Sequence, residues 1–423
     1  LDSICLGGER GLFLRERSMS APDLYDKCKV YLHTLCNEIS DRSVGSEGNR
    51  RATRFFEQLI SSFGWTTNIQ TFAALDWEDG GARLQVDESK FQVFVSPYSR
   101  GCQARAPLCC VSSVEELAHI ELRGKIVLLH GEIAKEQLMP KNFVFYNPET
   151  HQRIISLLEE GKPRAIICAT GRNASLAGGV YPFPLIEDGD FDIPSVFMTE
   201  EEGARLLNFD GKTITLESTS RRIPSQGDNV IARMGHPSGE RIVITAHIDA
   251  KKGTPGAIDN ATGVVILLLL AGLLGDYQGN KLLEIVPFNG EDYYAVPGQM
   301  LYINQNRFDD ILLNINIDGA GYKEGRSAFS FYSLPVEIEH KIRSVLAQYG
   351  GITEGAQWSQ GDHSIFIQQG CPAIAVSSAW FTENVDSQEI THTPKDNLGI
   401  VDCQKLVEIV QALDLFIRLL SHG

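Results

Sequence analysis

The pattern of hydrophobic and polar positions changes twice along the chain, and it begins with the period of a helix. Apolar side chains recur at steps of three and four residues, which places them on one helical face. The positions that carry this period in the first predicted helix are Leu24, Cys28, Tyr31, Leu32, Leu35 and Ile39. A second predicted helix contains Phe55, Phe56, Leu59, Ile60 and Phe63. Gly64 ends it, since glycine is favoured just past a helix C-terminus, and residues 65–75 then alternate like a strand.

From about residue 79 to residue 227, glycine, proline and polar residues break the pattern into short apolar runs. Two of these runs, 125–129 and 164–168, are typical of buried strands, and a helix over 154–160 is predicted between them. A third run leads into a short helix for which Thr199 is the expected N-cap. We therefore expect a β-rich module over residues 79–227, inserted into a domain formed by residues 19–78 and 228–423.

From residue 228 onward, short apolar strands alternate with longer helices. The predicted strands are, in order, 229–233, 242–246, 282–288, 311–317 and 373–376. The predicted helices are 262–274, 336–349 and 403–420. Strands that alternate with helices indicate an α/β fold, here a doubly wound mixed sheet covered on both faces.

The size and charge of the chain restrict its partners. A chain of 423 residues is long enough for two or three domains. Its formal net charge is −16, which argues against nucleic acid and anionic membranes, because both attract basic surfaces. The longest apolar run, residues 264–274, is about half of the roughly 20 residues that span a bilayer. We therefore expect no nucleic acid and no membrane as partners, and the oligomeric state stays open.

The cysteines and the first residues bear on location. The nine cysteines show neither CxxC pairs nor zinc-finger spacing. Several lie in apolar runs, as Cys168 does, where a reduced cysteine serves as a small hydrophobic residue. A chain of this size needs no disulfide framework, so a reducing, cytoplasmic location is expected. Residues 1–18 are rich in charged side chains and lack the apolar core of a signal peptide, and they are predicted to be a disordered leader.

Ionisable side chains follow three of the predicted strands at the point where each strand ends. His247 and Asp249 follow the second strand, Glu291 and Asp292 the third, and Asp318 the fourth. Loops at the carboxyl ends of strands are where open α/β sheets bind ligands. Each of these residues alone has an ordinary structural explanation as a turn or a hydrogen-bonded side chain. Their coincidence at the ends of apolar strands favours a shared site.

Two further residues extend this set: Asp259, in a glycine-rich loop that opens a helix, and His392, in a polar turn. If Asp259, Asp292 and Asp318 converge, each carboxylate pair at ~4 Å repels by roughly 4 kcal/mol at an effective dielectric of about 20. Two divalent cations would remove this repulsion, and imidazoles among carboxylates suit zinc better than calcium or magnesium. A carboxylate shared by both ions would hold them ~3.5–4 Å apart, the spacing of two-metal hydrolytic sites.

The residues stand within longer motifs. These are Arg42-Ser43-Val44-Gly45-Ser46-Glu47-Gly48-Asn49, His247-x-Asp249, Gly256-Ala257-x-Asp259-Asn260-Ala261-x-Gly263, Gly290-Glu291-Asp292, Asn316-x-Asp318, Gly361-Asp362-His363-Ser364-x-Phe366 and His392-Thr393-x-x-Asp396. Together they resemble the motifs of the co-catalytic zinc aminopeptidases, peptidase family M28, over almost the whole chain after Met19. The inserted module resembles, more weakly, a protease-associated domain, which is a common insertion in that family. The resemblance implies a fold of the zinc-exopeptidase type.

The resemblance also implies a role for each candidate residue. His247 and Asp318 would hold one zinc ion, Asp292 and His392 would hold a second, and Asp259 would bridge the two. Glu291 would be the general base that takes a proton from a zinc-activated water and passes it to the leaving amine. Asp249 would orient His247 through the second ring nitrogen of the imidazole. The expected enzyme is an aminopeptidase that binds two zinc ions per chain and removes N-terminal residues from peptides.

Other functions on the same scaffold stay open. A carboxypeptidase or a glutaminyl cyclase would use a related site, although cyclases of this superfamily work with one zinc ion. A non-catalytic binding protein would have lost ligands or the base, all of which are present here.

Two details beside the site also stay open. Tyr293 and Tyr294 stand where the family usually has a glycine-rich stretch, and they either narrow the substrate pocket or pack beside it. Asp362 and His363 are expected to be supporting residues near the site rather than ligands.

Overall fold

The computed structural model describes residues 20–39, 41–172, 179–237, 239–385 and 387–421. The leader predicted for residues 1–18 lies outside the described residues. The strands are β1 Thr66–Glu78, β2 Ala82–Val86, β3 Ser89–Phe91, β4 Phe94–Val95, β5 Cys102–Val111, β6 Ile126–Leu129, β7 Ala165–Thr170, β8 Ser195–Thr199, β9 Thr213–Ser218, β10 Arg221–Gly235, β11 Arg241–His247, β12 Leu282–Phe288, β13 Ile311–Ile317, β14 Ser327–Tyr332, β15 Ile352–Glu354 and β16 Ala373–Ser378. The α-helices are α1 Ala21–His33, α2 Glu47–Ser62, α3 Val114–His119, α4 Glu149–Gly161, α5 Glu200–Leu206, α6 Thr262–Leu273, α7 Pro297–Gln305, α8 Val336–Leu346, α9 His363–Gln368, α10 Ala379–Asn384 and α11 Cys403–Ser421.

The first of two eight-stranded sheets has the order β1-β10-β12-β11-β13-β16-β14-β15. Its central strands β12, β11, β13 and β16 run parallel to one another. The pairs β1 with β10, β10 with β12, and β14 with β16 are antiparallel. The sheet is therefore mixed, as predicted. Because β11, β12 and β13 are parallel neighbours, the loops at their carboxyl ends lie side by side at one edge of the sheet.

Helices cover both faces of this sheet. Helices α1, α2, α6, α8 and α11 contribute to the large apolar cluster on one face, and α7 and α9 contribute to a smaller cluster on the other. Strand β11 shows why both faces are apolar: Ile242 and Ile244 belong to the first cluster, whereas Val243 belongs to the second. Successive side chains of a strand point to opposite faces, so a strand buried on both sides has a continuous apolar sequence. The doubly wound α/β fold is confirmed.

Helix α6 lies at the centre of the larger cluster. All residues from Thr262 to Ala271 are buried, and an α-helix that is apolar all round belongs in such an interior. Within the described residues, the segment Ala257–Asp276 is the one that is long and apolar enough to cross a membrane by length and composition, but 83% of its apolar window is buried inside the protein. The segment is longer than the apolar run 264–274 because the helical residues on either side of that run are included. Its burial in the core explains why it is apolar.

The second sheet, of order β3-β2-β9-β5-β6-β7-β8-β4, lies wholly within residues 82–218. It has an apolar cluster on each face, and Val127 and Ile166 face one of them while Ile126 and Ile167 face the other. The division of the chain at residues 79 and 227 stays a prediction, as does the likeness to a protease-associated domain. Strand β10 runs without a break across residue 227 and pairs with the whole of β1 through its residues Arg221 to Arg233, so a long two-stranded ribbon leads from one sheet to the other.

Candidate metal centre

The parallel strands of the first sheet bring the predicted site residues together at one edge. His247 is the last residue of β11, Asp318 directly follows β13, and Glu291 and Asp292 lie in the loop after β12. Asp259 lies in the irregular turn that precedes α6. His392 lies in the loop between α10 and α11 with a positive φ of 60°. All five predicted metal ligands and the predicted base therefore meet in one place.

The carboxylate of Asp259 stands between the two histidines. Its Oδ1 lies 3.1 Å from Nε2 of His247, and its Oδ2 lies 3.2 Å from Nε2 of His392. His247 Nε2 also lies 3.6 Å from Oδ1 of Asp318, and His392 Nε2 lies 2.9 Å from Oδ1 of Asp292. Each oxygen of Asp259 thus faces its own histidine and its own second carboxylate, which is the arrangement of a bridging ligand.

The donor atoms fit a pair of metal ions. His247, Asp259 and Asp318 offer ligand atoms that lie within 4.8 Å of one another, and so do Asp259, Asp292 and His392. His247 Nε2 and Asp292 Oδ2 are buried without a hydrogen-bond partner among the described residues. Buried polar atoms rarely lack a partner, so these two are suited to coordination. Imidazole and carboxylate donors together are characteristic of zinc.

The pKa values of the cluster also indicate a site that is suited to cations. Burial opposes a charged His247, but the adjacent carboxylates of Asp259 and Asp318 raise its pKa well above the usual range. Burial raises the pKa of Glu291, also well above the usual value of a glutamate. Protons on these groups reduce the repulsion among buried carboxylates. Bound cations would supply that positive charge instead and release the protons.

Glu291 is the carboxylate of the cluster that is most open to solvent. Its side chain is 28% exposed, whereas that of Asp292 is 3% exposed. Its Oε2 lies 4.0 Å from Nε2 of His247, and it belongs to a third group of close donor atoms with His247 and Asp292. A carboxylate beside the ligands and open to the cavity is placed to exchange protons with a bound molecule.

Two cavities meet at the cluster. The metal-centre cavity has a volume of about 300 Å³, and its apolar wall includes Trp358, Phe381 and Val385. The side cavity has a volume of about 250 Å³ and lies between the first sheet's loops and the inserted module. Both are lined by Lys251, Asp292 and His392. A molecule bound at the cluster can therefore extend in two directions.

Asp249 contacts a different part of the site from the one that the resemblance implies. Nδ1 of His247 lies 3.2 Å from the backbone oxygen of Asp249 and 3.8 Å from its carboxylate. The carboxylate instead accepts hydrogen bonds from the backbone N–H groups of Gly290 at 2.8 Å, Glu291 at 3.3 Å and Asp292 at 2.9 Å. Asp249 therefore fixes the loop that carries the predicted base, and its backbone holds the imidazole.

Two further residues support the site. Asp396 accepts hydrogen bonds from the backbone N–H groups of Ile258 at 2.7 Å and Asp259 at 3.0 Å, which fixes the position of Asp259. Arg42 is 2% exposed and donates to four backbone carbonyls, those of Leu35, Ile248, Pro255 and Gly256. Both residues lie within the sequence motifs, but nothing in the sequence gives these partners.

Asp362 and His363 are buried beside the cluster and belong to none of the three groups of donor atoms. Asp362 Oδ1 accepts a hydrogen bond of 2.9 Å from Gln299, and burial raises the pKa of Asp362 to about 7. His363 Nε2 lies 3.0 Å from the backbone oxygen of Trp358, and burial lowers its pKa to about 4. A neutral His363 suits a packing role, as the sequence leads us to expect.

Tyr293 and Tyr294 pack against the inserted module. Their ring centroids lie 5.3 Å and 4.9 Å from that of Tyr98, and the Tyr293 hydroxyl accepts a hydrogen bond from the backbone of Leu75. Neither tyrosine is among the residues that line the two cavities. Of the two roles left open by the sequence, the structure favours packing.

The sequence is similar to a known peptidase family and to several curated proteins. Residues 229–416 match the model of the family described as Peptidase family M28. The chain is 21% identical to a vacuolar membrane protease of Candida tropicalis over 52% of this chain and 25% of that protein. It is 22% identical to the aminopeptidase YwaD of Bacillus subtilis over 53% of this chain and 50% of that protein. The chain thus spans between a quarter and a half of these curated relatives.

Solved structures share the fold. An aminopeptidase from Aneurinibacillus sp. strain AM-1 superposes with a TM-score of 0.71 at 20% identity, covering 95% of this chain and 93% of that one. BSAP, a zinc aminopeptidase from Bacillus subtilis, superposes with a TM-score of 0.70 at 16% identity and covers 97% of each chain. A glutaminyl cyclase from Porphyromonas gingivalis reaches a TM-score of 0.51 at 14% identity, covering 95% of this chain and 99% of that one.

Proposed function

The chain belongs to peptidase family M28 through residues 229–416, and from that membership we propose that it is a zinc-dependent aminopeptidase. The observation that carries the proposal is the position of Asp259, whose two oxygens lie 3.1 Å and 3.2 Å from the imidazoles of His247 and His392. One carboxylate between two sets of N and O donors supports a site for two zinc ions per chain. The substrate would be a peptide with a free N-terminus.

The residues of the chain divide the chemical work among themselves. Glu291 would accept a proton from the attacking water and donate it to the leaving amine. Asp249 would keep Glu291 in reach by holding the backbone of its loop. Zinc, when bound, would polarise the scissile carbonyl and lower the pKa of a water molecule. The apolar wall formed by Trp358, Phe381 and Val385 would receive an apolar side chain of the substrate.

A glutaminyl cyclase is the second candidate because one shares this fold. Two observations support the aminopeptidase more strongly. The aminopeptidases superpose with TM-scores of 0.71 and 0.70, against 0.51 for the cyclase. The two groups of donor atoms around Asp259 also suit a pair of metals, whereas the cyclase resemblance implies one. A carboxypeptidase stays a further alternative, and a non-catalytic protein would have no use for Glu291.

The location in the cell is a proposal of a different kind. We propose a cytoplasmic protein, because the eight described cysteines are all free and a reducing compartment keeps them so. The names of relatives described as vacuolar membrane proteases point to another compartment. Fractionation of the source cells would decide between these locations.

The proposed activity is tested with matched peptides. Purified protein should be stripped of metal, reloaded with zinc, and incubated with one peptide in three forms: free, N-acetylated and C-terminally amidated. An aminopeptidase hydrolyses the free and amidated forms after reloading and leaves the acetylated form intact. Cleavage of the acetylated form from its C-terminus would instead identify a carboxypeptidase. Release of ammonia from an N-terminal glutamine would identify a cyclase.

A further inference from the structure

One cation of the site is left without a role by the proposed mechanism. Lys251 lines both the metal-centre cavity and the side cavity. Its Nζ lies 2.7 Å from Oε1 of Glu187, a residue of the inserted module. The other oxygen of Glu187 accepts a hydrogen bond of 3.0 Å from Gln137. The ammonium is therefore held at a fixed position where the two cavities join.

The charge of Lys251 persists in this setting. Burial opposes the ammonium, but the carboxylates of Glu187 and Asp292 raise the pKa of Lys251 above its usual value. Within the part of the chain that the structure describes, Glu187 is the one residue that accepts a hydrogen bond from its Nζ. An ammonium carries three donors, so two remain for a molecule in the cavities.

The neighbouring Lys252 has more than one contact with the surrounding protein. Its Nζ lies 2.9 Å from Asp76 and also donates to the backbone oxygen of Trp77. It lines the side cavity but not the metal-centre cavity. Lys251 differs because it also lines the metal-centre cavity, where bound zinc would repel a further cation. Glu187 already balances this charge, so a substrate carboxylate would bind to the remaining N–H donors of the ammonium.

The side cavity limits what that partner can be. Its volume of about 250 Å³ is below the ~300–1,000 Å³ of sites that bind drug-sized molecules, and its walls include the apolar side chains of Phe94, Tyr98 and Phe197. This space suits one amino-acid residue. Consecutive residues advance by about 3.3–3.6 Å along an extended chain. A substrate carboxylate that binds Lys251 beside the cluster would therefore belong to the residue directly after the scissile bond.

We propose that Lys251 binds the C-terminal carboxylate of dipeptides, so that the enzyme prefers dipeptides to amidated or longer substrates. This inference rests on the aminopeptidase activity proposed above. The leaving residue occupies the side cavity and its carboxylate accepts hydrogen bonds from Nζ. The inserted module would determine specificity, because Glu187 positions the ammonium. A substrate amine is unsuited to this place since it carries the same charge as Lys251.

The test compares kcat/KM for a dipeptide ending in glycine, its amide, the tripeptide extended by one glycine, and an amidated dipeptide with aspartate as the leaving residue. For the wild-type enzyme we expect the free dipeptide to be preferred over its amide by about tenfold or more, the effect of a hydrogen bond to a charged group. Lys251→Met should abolish most of this preference by raising KM for the free dipeptide. Lys251→Arg should keep most of it.

Lys141→Met is the matched control, because Lys141 also forms an ion pair of 2.9 Å with a glutamate of the inserted module, Glu159, but lines neither cavity. This variant should leave the preference intact. Equal kcat/KM for dipeptide and amide in the wild-type enzyme, a comparison that needs no variant to fold, would overturn the inference. So would a Lys251→Met variant that loses both activities equally, or one whose loss of preference is matched by Lys141→Met. Preference for the aspartate amide would assign Lys251 to a side-chain carboxylate instead. Failure to hydrolyse any of the four would contradict the aminopeptidase function itself.

Discussion

The carboxylate of Asp249 accepts a hydrogen bond of 2.9 Å from the backbone N–H of Asp292. The same carboxylate receives the N–H groups of Gly290 and Glu291, so a single buried side chain sets the path of the loop after β12. The histidine at the end of β11 is held by the backbone of Asp249 rather than by its side chain. Two adjacent strand ends are thereby fixed relative to each other at the place where the proposed ligands and base stand.

Replacing Asp249 with asparagine tests this coupling. In the wild type, the backbone N–H groups of residues 290–292 donate to the two carboxylate oxygens of Asp249. In Asp249→Asn, an amide NH₂ group would replace one of these oxygens, and it cannot accept their hydrogen bonds. We expect zinc affinity and kcat/KM to fall by about 10–100-fold, the usual effect of losing a partner behind a metal site. Asp228→Asn is the control, because Asp228 accepts its hydrogen bond from Thr71 at an exposed position. Equal behaviour of the two variants in metal titration would contradict the role given to Asp249.

The bridging role proposed for Asp259 predicts a change in the number of zinc ions bound per chain. An amide cannot link two cations as a carboxylate does, so Asp259→Asn should bind at most one zinc ion per chain. Wild-type protein should gain about 2.7 kcal/mol of stability at free zinc 100 times its Kd, and the variant should gain less. Elemental analysis and thermal unfolding with and without zinc measure both effects. Two tightly bound ions in the variant would show that Asp259 is not the bridge.

Gly361 lies against the candidate metal centre, and Gly370 offers a matched control for its substitution. A Cβ at Gly361 would stand 3.1 Å from Oδ2 of Asp318 and 3.0 Å from the ring of Trp358, whereas a Cβ at Gly370 would meet nothing within 4 Å. Both glycines have positive φ, +99° and +80°, so alanine costs about 1–2 kcal/mol of backbone strain at either site. We expect Gly361→Ala alone to lower zinc affinity and activity. Equal activity of Gly361→Ala and Gly370→Ala would refute this contact.

Arg42 should matter for stability rather than for chemistry. Its guanidinium donates to four carbonyl oxygens at 2.7–3.1 Å, and each buried acceptor left without a donor costs about 1–3 kcal/mol. We expect Arg42→Met to lower the free energy of unfolding by about 3 kcal/mol or more, measured by denaturant titration. Arg54→Met, at an exposed ion pair with Glu47, should leave it nearly unchanged, because exposed ion pairs contribute little to stability. Similar losses in both would contradict the structural role of Arg42.

Much of the first sheet could be predicted from the sequence because its central strands are buried on both faces. The predicted strand 282–288 has the observed bounds of β12, and the predicted strand 242–246 is β11 without its first and last residues. Strands of this kind can be recognised from a short continuous run of apolar residues, without knowledge of distant contacts. The proposed ligands could be grouped for the same reason, since His247, Asp292 and Asp318 lie at or just after the ends of such runs.

Other features depend on contacts between distant segments and leave no local signal. Helix α7 was not predicted because its buried positions include Gly298 and Gln299 rather than an apolar stripe. The carbonyl partners of Arg42 and the ion pair between Lys251 and Glu187 join segments far apart in the chain. The continuity of β10 across residue 227 likewise depends on its pairing with β1, which the sequence pattern does not reveal.

A carboxylate base that acts beside a pair of zinc ions is the core of the proposed mechanism, and Glu291→Gln removes that base. Zinc content and aminopeptidase kcat should be measured on the same preparations of wild type and variant. We expect two zinc ions per chain in both proteins and a loss of about 10²–10⁴-fold in kcat for the variant, the contribution of a general base. A Glu291→Gln variant with full zinc content and wild-type kcat would rule out Glu291 as the base, and wild-type protein that binds less than one zinc ion per chain would rule out the zinc pair.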